Sequence, residues 1–148
     1  MQSFDFKNVG KPLDDKSKVN TRPLGIRTPW REGNITGYFD MHFNLIDQLK
    51  DNFKNLILTN KGERVMRPDL GGNLQAVVFD NLGSDSLTQK IAENIFDTAR
   101  KYMPFIGLEK LNVDQTTYRD RNSVIVKIFF NIPGLTDEQQ EIALSIQV

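Results

Sequence analysis

The chain of 148 residues contains no cysteine and only one histidine, His42. The absence of cysteine excludes disulfide bonds, thiolate zinc sites and cysteine nucleophiles, and it suits a reducing compartment. With one histidine, a Ser-His-Asp triad would have to use His42, and a metal site would rest on oxygen ligands plus at most one imidazole. Because it lies between Met41 and Phe43, we interpret His42 as a packing or surface residue rather than a ligand.

The sequence also lacks any apolar run of roughly 18 residues, so it predicts no membrane span. Its first residues, MQSFDFKNVGKPLDDKSK, lack the apolar middle region of a signal peptide, so we expect a soluble protein that stays in the cytoplasm. The 19 basic and 19 acidic side chains cancel to a net charge of zero. This balance gives no general attraction to nucleic acid or anionic lipid.

Glycine and proline are frequent at the start of the chain, where apolar side chains follow no sustained period. We therefore predict an irregular N-terminal arm over residues 1–37, with a short strand near residues 35–39, and a single domain over residues 38–148. The first 32 residues carry seven basic and four acidic side chains. A basic arm that contains Trp30 leaves a small nucleic-acid-binding adaptor open, although the folded part has no basic stripe with interleaved aromatics.

The first amphipathic helix is predicted over residues 45–57, where the apolar side chains share one face. Asp40 or Asn44 is suited to cap its start, and Gly62 is placed to end it. The short apolar segment 73–80, NLQAVVFD, predicts a further turn of helix.

The second amphipathic helix is predicted to start at the S-x-x-Q capping box of Ser86 and Gln89. Its apolar residues from Leu87 to Met103 recur at steps of four. Pro104 should end it, because proline disfavours helical geometry in the residue before it.

From residue 106 onwards the apolar period changes to two. Residues 106–113 predict a strand with a β-bulge near Lys110, and residues 124–132, apolar on both faces, predict the central strand. We expect a turn over residues 133–140, PGLTDEQQ, and a last strand over residues 142–148. The order of elements predicts an α+β fold in which two amphipathic helices pack on a C-terminal antiparallel three-stranded β meander.

The last strand is expected to lie at an edge of the sheet, where unpaired backbone groups would accept a strand from a partner. It contains no proline and no inward charge that would block such pairing. An internal strand flanked by the N-terminal arm fits the pattern equally well, so both remain open. The expected partner-strand interface consists of Ile142, Ala143, Leu144, Ser145, Ile146, Gln147 and Val148.

The stretch 58–74, LTNKGERVMRPDLGGNL, is dense in charge and could be either an active site or a rigid corner. A muramidase-type hydrolase would need two carboxyl groups, here Glu63 and Asp69, one of them with a raised pKa. Arg64 and Arg67 lie beside both and would lower those pKa values, which favours structure over catalysis. We therefore predict that Arg64 or Arg67 bridges Glu63, Asp69 or a carboxylate of a neighbouring chain.

Taken in order, these segments resemble the gene-25-like family of phage baseplate wedge proteins, which has relatives in tailocins and type VI secretion baseplates. The resemblance covers residues 24–148, and its specific part is the run from Thr59 to Gly71 that contains GERVMRPDLG. The short piece from Leu74 to Phe79, the second helix and the meander follow in the family's order. The motif residues are Gly62, Glu63, Arg64, Arg67, Pro68, Asp69 and Gly71.

The resemblance implies a structural, non-enzymatic component of a contractile-tail baseplate wedge, the sheath initiator, whose terminal sheet accepts strands from the first sheath ring. The partners it implies are the tail sheath protein and other wedge proteins, with tail tube or hub proteins as further candidates. It implies several copies in a symmetric baseplate of the virion, assembled in the host cytoplasm. No cofactor, nucleic acid or membrane is expected.

One departure from the family pattern lies after the second helix. Family members usually carry Glu-Pro-Arg there, whereas this chain has Tyr102, Met103, Pro104 and Phe105, so only the proline matches. We expect an apolar wedge contact through Met103 and Phe105 in place of the charged one. The lysozyme label that the family has carried gains no support from a carboxylate pair flanked by arginines.

Overall fold

The computed structural model describes residues 22–33, 38–81, 86–114 and 123–147, without the side chain of Asp137. The described residues form two compact units, which meet in sequence between Asn52 and Phe53. The predicted α+β class is confirmed. In chain order the elements are β1 (Gly25–Ile26), β2 (Met41–His42), α1 (Leu45–Leu58), α2 (Leu74–Asp80), α3 (Leu87–Tyr102), β3 (Gly107–Asp114), β4 (Ser123–Ile132) and β5 (Thr136–Gln147).

The N-terminal unit contains a small two-stranded sheet rather than a wholly irregular arm. Strand β1 pairs antiparallel with β2, and an isolated bridge joins Glu32 to Phe39. The ring of Trp30 meets that of Phe39 edge-on, with 5.3 Å between the ring centroids. Most of the strand expected near residues 35–39 lies outside the described residues, as do residues 1–21.

Helix α1 begins as its sequence predicts, with Asn44 as the cap. The Asn44 side-chain oxygen accepts a hydrogen bond of 3.0 Å from the backbone N–H of Ile46, which satisfies one of the free donors of the first turn. Asp40, the other predicted cap, instead forms an ion pair of 3.3 Å with Arg27.

The other end of α1 is closed by threonine rather than by glycine. The N–H and the hydroxyl of Thr59 both donate to the carbonyl oxygen of Asn55, at 2.9 and 2.6 Å. The prediction that Gly62 ends the helix is therefore wrong, because the helix already stops at Leu58. Gly62 lies in the following loop with a φ of 91°, a left-handed conformation that glycine adopts without strain.

Helix α3 has the predicted extent but not the predicted cap. It ends at Tyr102, just before Met103 and Pro104, as the proline indicates. The side chain of Ser86 forms no capping hydrogen bond, because its backbone is already near-helical instead of extended. Gln89 donates to Glu93 at 2.9 Å, so the predicted capping box is wrong. Helix α2, seven residues long, confirms the short helical turn predicted there.

The three-stranded sheet has the order β3-β4-β5 with both pairs antiparallel, which confirms the predicted meander and its central strand. The register of β3 shifts between Leu108 and Lys110, where a bulge was predicted. Strand β5 begins at Thr136, so the predicted turn over residues 133–140 is too long. Polar residues at the start of β5 resemble a turn in sequence, yet Gln140 pairs opposite Phe130 as part of the strand.

The core of the second unit lies between the helices and one face of the sheet. Along β4 and β5 alternate residues are buried, which gives the sheet one covered face. The ring of Phe53 on α1 meets that of Phe130 on β4 edge-on, with 5.3 Å between the centroids. Further side chains buried in this core are Ile57, Leu74, Val78, Leu87, Ile91, Ile95, Ala99, Val124, Val126, Ile128, Leu144 and Ile146.

Candidate interaction surfaces

A double glycine brings the chain back to the end of α1 and so closes the loop of residues 60–70, which we call the charged loop. The N–H of Gly72 donates to the carbonyl of Leu56 at 3.0 Å, and the N–H of Asn73 to that of Thr59 at 3.1 Å. These bonds satisfy helix-end carbonyls that would otherwise lack a partner. A side chain at Gly71 would overlap the carbonyl oxygen of Thr59, so this approach requires glycine.

The charged loop is also braced internally, by one hydrogen bond across its neck and by a local turn at its start. Gly62 N–H donates to the carbonyl of Pro68 at 2.8 Å across the neck of the loop. The carboxylate of Glu63 accepts two hydrogen bonds from Asn60, 2.9 Å from the backbone N–H and 2.8 Å from the side-chain amide. These bonds brace the loop through neutral donors, and its predicted role as a rigid structural corner stays a prediction.

Asp69 fastens the same loop to the C-terminal end of α3. The Tyr102 hydroxyl donates to the Asp69 carbonyl oxygen at 2.5 Å and lies 3.2 Å from its carboxylate. The ammonium of Lys101 lies 3.5 Å from that carboxylate. The hydroxyl of Tyr102 contributes most to lowering the pKa of the Asp69 carboxyl below its ordinary value, and the charge of Lys101 lowers it further.

The prediction that Arg64 or Arg67 bridges a carboxylate of its own loop is wrong. Among the described residues neither guanidinium has an ion-pair or hydrogen-bond partner, and both arginines are exposed. The physical reason is competition. The carboxylate of Glu63 already accepts hydrogen bonds from Asn60, and Asp69 already interacts with Tyr102 and Lys101. A bridge to a neighbouring chain remains a prediction.

The interactions of the two carboxylates in the charged loop favour a structural role over a hydrolytic one. A general acid needs a carboxyl whose pKa is raised by burial or by a nearby negative charge, whereas the pKa of Asp69 is lowered. Glu63 is exposed and acts as an acceptor for the turn at Asn60. The loop thus supplies a rigid shape, and the pair Glu63 and Asp69 supplies its anchors.

The segment expected to contact the wedge, Tyr102 to Phe105, borders the charged loop through the Tyr102–Asp69 hydrogen bond. Met103 is buried in the core, so of the two residues expected to form an apolar contact only Phe105 is exposed, with 47% of its surface accessible. Pro104 is exposed beside it. The contact itself stays a prediction, now assigned to Pro104 and Phe105.

Strand β5 lies at an edge of the three-stranded sheet and pairs only with β4 among the described residues. Its side chains alternate strictly: Ile142, Leu144 and Ile146 are buried, and the residues between them are exposed. The far edge of the strand therefore presents backbone N–H and C=O groups beside an apolar face. The final residue, Val148, lies outside the described part of the chain.

A second surface, which the sequence did not indicate, lies at the opposite edge of the sheet. A groove of about 500 Å³ runs between α3 and β3. At its border Glu109 accepts hydrogen bonds from Asn131, at 2.9 Å, and from Gln139, so one carboxylate links all three strands. The bulge at Glu109 was predictable from the sequence, whereas the hydrogen-bond partners of Glu109 lie on the two later strands. The apolar lining consists of Ala92, Ile95, Phe96, Leu108, Leu111 and Ile128.

His42 is a structural residue, as its sequence context indicated. It is 5% exposed, and its Nε2 lies 2.6 Å from the carboxylate of Asp51, which also accepts the backbone N–H of Thr28 at 2.9 Å. Burial alone would raise the pKa of the Asp51 carboxyl, but the hydrogen bonds from His42 and Thr28 outweigh it and lower that pKa.

The described residues offer neither a metal site nor a membrane-spanning helix. Within those ranges no group of three histidine, cysteine, aspartate or glutamate residues is arranged to hold a metal ion. No helix in the described ranges is both long enough and apolar enough to cross a membrane.

Comparison with known proteins gives one sequence relative and several structural ones. No family model matches the chain. It is 29% identical over 98 residues to the baseplate wedge protein gp25 of Enterobacteria phage T4, which covers 66% of this chain and 72% of the relative. That similarity confirms the predicted resemblance to the gene-25-like family.

Two solved structures share the fold. A tail lysozyme described from Geobacter sulfurreducens aligns with a TM-score of 0.62 at 17% identity, over 71% of this chain and 92% of that one. A chain of the anti-feeding prophage baseplate aligns with a TM-score of 0.50 at 18% identity, over 80% of both chains. At these identities the structural matches describe the fold alone.

Proposed function

We propose that this chain is a gp25-like structural component of a contractile-tail baseplate wedge, and that it starts the sheath by offering the open edge of β5 to strands of the first sheath ring. The observation that carries the structural role is the similarity to the baseplate wedge protein gp25. The open edge of β5 supports the finer role.

Strand addition at β5 is physically favourable for two reasons. A partner strand would satisfy backbone groups that have no partner among the described residues, and main-chain hydrogen bonds of this kind supply affinity without needing a particular sequence. The alternation of Ile142, Leu144 and Ile146 with exposed residues would then supply register, because a partner can extend the apolar face only in one phase.

The proposed partners occupy different parts of the molecule. The sheath protein adds to β5, and other wedge proteins contact the helical side near Pro104 and Phe105. Tube or hub proteins are further candidates, and several copies act in one symmetric baseplate of the virion tail, assembled in the host cytoplasm. The proposal requires no cofactor, nucleic acid or membrane.

The test uses edge-blocking lysines in place of a deletion, because removing β5 would also remove Leu144 and Ile146 from the core. Ala143→Lys combined with Ser145→Lys places two charges on exposed positions of the edge strand, a device that natural edges use against pairing. The matched control adds the same charge to exposed positions of α3, Thr88→Lys with Gln89→Lys.

We expect electron micrographs of particles with the β5 variant to show baseplates and tubes without polymerised sheath, and the α3 control to form normal tails. Sheaths of normal length on particles with the β5 variant, with incorporation of the variant chain verified, would contradict the role of this edge. The structural role in the baseplate would survive that result.

A peptidoglycan hydrolase is the second candidate, favoured only by the fold shared with a protein described as a tail lysozyme. The anchoring roles of Glu63 and Asp69 speak against it. Clearing of peptidoglycan by the purified chain between mildly acid and neutral pH, lost in Glu63→Gln, would establish this activity in place of the structural role.

A further inference from the structure

The tip of the charged loop, residues 64–67, presents two apolar side chains almost completely to solvent. Val65 is 95% exposed and Met66 is 90% exposed, more than any other large apolar residue among those described. Exposed apolar residues are common when scattered, but two adjacent ones at the end of a braced loop form a small protruding apolar surface. We call residues 64–67 the knob.

The knob is held in shape by the backbone beneath it. The N–H of Arg67 donates to the carbonyl of Arg64 at 3.0 Å, and the N–H of Leu70 donates to that of Arg67 at 3.0 Å. Below them the Gly62–Pro68 bond closes the neck of the loop. A surface that is already ordered loses little conformational entropy when a partner binds, so this loop is suited to docking.

The knob also carries two cations that have no partner within the described ranges of the chain. Arg64 and Arg67 flank the apolar pair and form no ion pair or hydrogen bond with any described residue, because Glu63 and Asp69 are held by Asn60, Tyr102 and Lys101. Nothing in the described fold requires the side chains of residues 64–67, whereas the glycines and acids around them close and anchor the loop.

We propose that the knob inserts Val65 and Met66 into an apolar recess of a partner protein, and that carboxylates bordering the recess pair with Arg64 and Arg67. Arginine is suited to this role since its planar guanidinium binds a carboxylate through two parallel hydrogen bonds. The proposal rests on the proposed function, in that the partner is another protein of the same assembled tail.

The chemistry of the loop favours an acidic protein surface over a nucleic acid or an anionic membrane. The chain has no net positive charge to attract a phosphate backbone over a distance. A recess in a protein can also bury Val65 and Met66, which a phosphate surface cannot do.

The first experiment places a photo-crosslinking amino acid at Met66 of the full chain and irradiates assembled tail particles. The crosslinked peptide, identified by mass spectrometry, should contain at least two acidic residues next to apolar ones. The same crosslinker at Thr88, an exposed position on α3, should not give this peptide. A crosslink to nucleic acid, to lipid or to a basic segment, or no crosslink at all, would overturn the proposal.

The second experiment reverses charge. Arg64→Glu combined with Arg67→Glu should lower incorporation of the chain into particles by about 30-fold or more, as expected when buried charge pairs of an interface are broken. Lys61→Glu, an equally exposed reversal in the same loop but outside the knob, should incorporate nearly normally. Reversing the carboxylates of the crosslinked peptide to lysine should restore incorporation of the double variant.

These results separate the two proposals. If the knob variants incorporate normally while the β5 variant still blocks the sheath, the knob proposal fails and the proposed function stands. If the chain is never found in tail particles, the proposed function fails first. Circular dichroism and thermal unfolding of each purified variant show that a lost incorporation is not a lost fold.

Discussion

The hydroxyl of Tyr102 donates a hydrogen bond of 2.5 Å to the main-chain carbonyl of Asp69, across 33 positions of sequence. This bond joins the last residue of α3 to the far side of the charged loop. It therefore fastens the charged loop to the helix end that leads into the exposed residues Pro104 and Phe105. The charged loop and the end of α3 are thus held together as a single body.

Removing the hydroxyl should loosen that body without unfolding the domain. We expect Tyr102→Phe to lower the free energy of unfolding by about 0.5–1.5 kcal/mol, the usual net value of one hydrogen bond. Amide hydrogen exchange should become faster for residues 63–70 and stay unchanged in β4. Equal acceleration throughout both regions would contradict a local anchoring role.

The same substitution should move the titration of Asp69. In the folded chain the Tyr102 hydroxyl foremost, and also Lys101, lower the pKa of this carboxyl. The charged form therefore stabilises the fold above the ordinary pKa of about 4, and this stabilisation is lost as the pH falls through the lowered pKa of the folded state. NMR titration of the Asp69 carboxyl carbon should give a higher pKa in Tyr102→Phe than in the unsubstituted chain. Identical pKa values would show that the hydrogen bond is not the main cause.

Two glycines of the charged loop should respond differently to alanine. Gly62 and Gly71 both have left-handed backbones, with φ of 91° and 128°, so either substitution should cost about 1–2 kcal/mol of backbone strain. At Gly71 the new methyl group also overlaps the carbonyl of Thr59, whereas at Gly62 nothing lies within 4 Å. Urea unfolding should therefore show a clearly larger loss for Gly71→Ala, and equal losses would argue against the close approach.

The pairing of His42 with Asp51 can be measured by a double-mutant cycle. Their side chains lie 2.6 Å apart and are mostly buried, so we expect a coupling free energy of about 0.5–3 kcal/mol between His42→Ala and Asp51→Ala. Thermal or urea unfolding of the two single variants and the double variant gives this value. Strictly additive losses would mean that the pair contributes no interaction.

Two adjacent phenylalanines of β4 should separate the covered face of the sheet from the other face. Phe130 is fully buried against Phe53, whereas Phe129 points to the opposite face and is only half-buried. Phe130→Ala should cost about 3–5 kcal/mol, the usual value for a deleted core phenylalanine. Phe129→Ala should lower the free energy of unfolding markedly less in the same experiment. A larger loss for Phe129→Ala than for Phe130→Ala would contradict the placement of Phe130 on the covered face.

Periodicity predicted those parts of the fold that are decided by burial of every second or every fourth side chain. In β4 and the second half of β5 every second side chain is buried because one face covers the core. The sequence shows this as apolar alternation in β5 and as a run apolar on both faces in β4. The first half of β5, from Thr136 to Gln140, carries only polar side chains, so no apolar alternation marks it as a strand, although Gln140 is buried. Such a segment resembles a turn until its partner strand is known.

Contacts between distant residues could not be predicted in the same way. The sequence places Arg64 and Arg67 next to Glu63 and Asp69, so ion pairs among neighbours were the natural expectation. For Asp69 the competing partner is Tyr102, 33 positions along the chain, which no local sequence pattern brings near the charged loop. Arg64 and Arg67, which have no partner among the described residues, are therefore the side chains proposed to contact another protein.

The open edge of β5 has a geometric consequence beyond affinity. Neighbouring strands in a sheet are rotated by roughly 20–25° in a fixed sense, so a strand added to β5 takes its direction from β5 as well as its position. A slip of one residue would turn the added strand over, which the alternation of buried and exposed residues on β5 penalises. The edge of β5 would therefore fix the angle at which a partner strand, and the domain that carries it, leaves this protein.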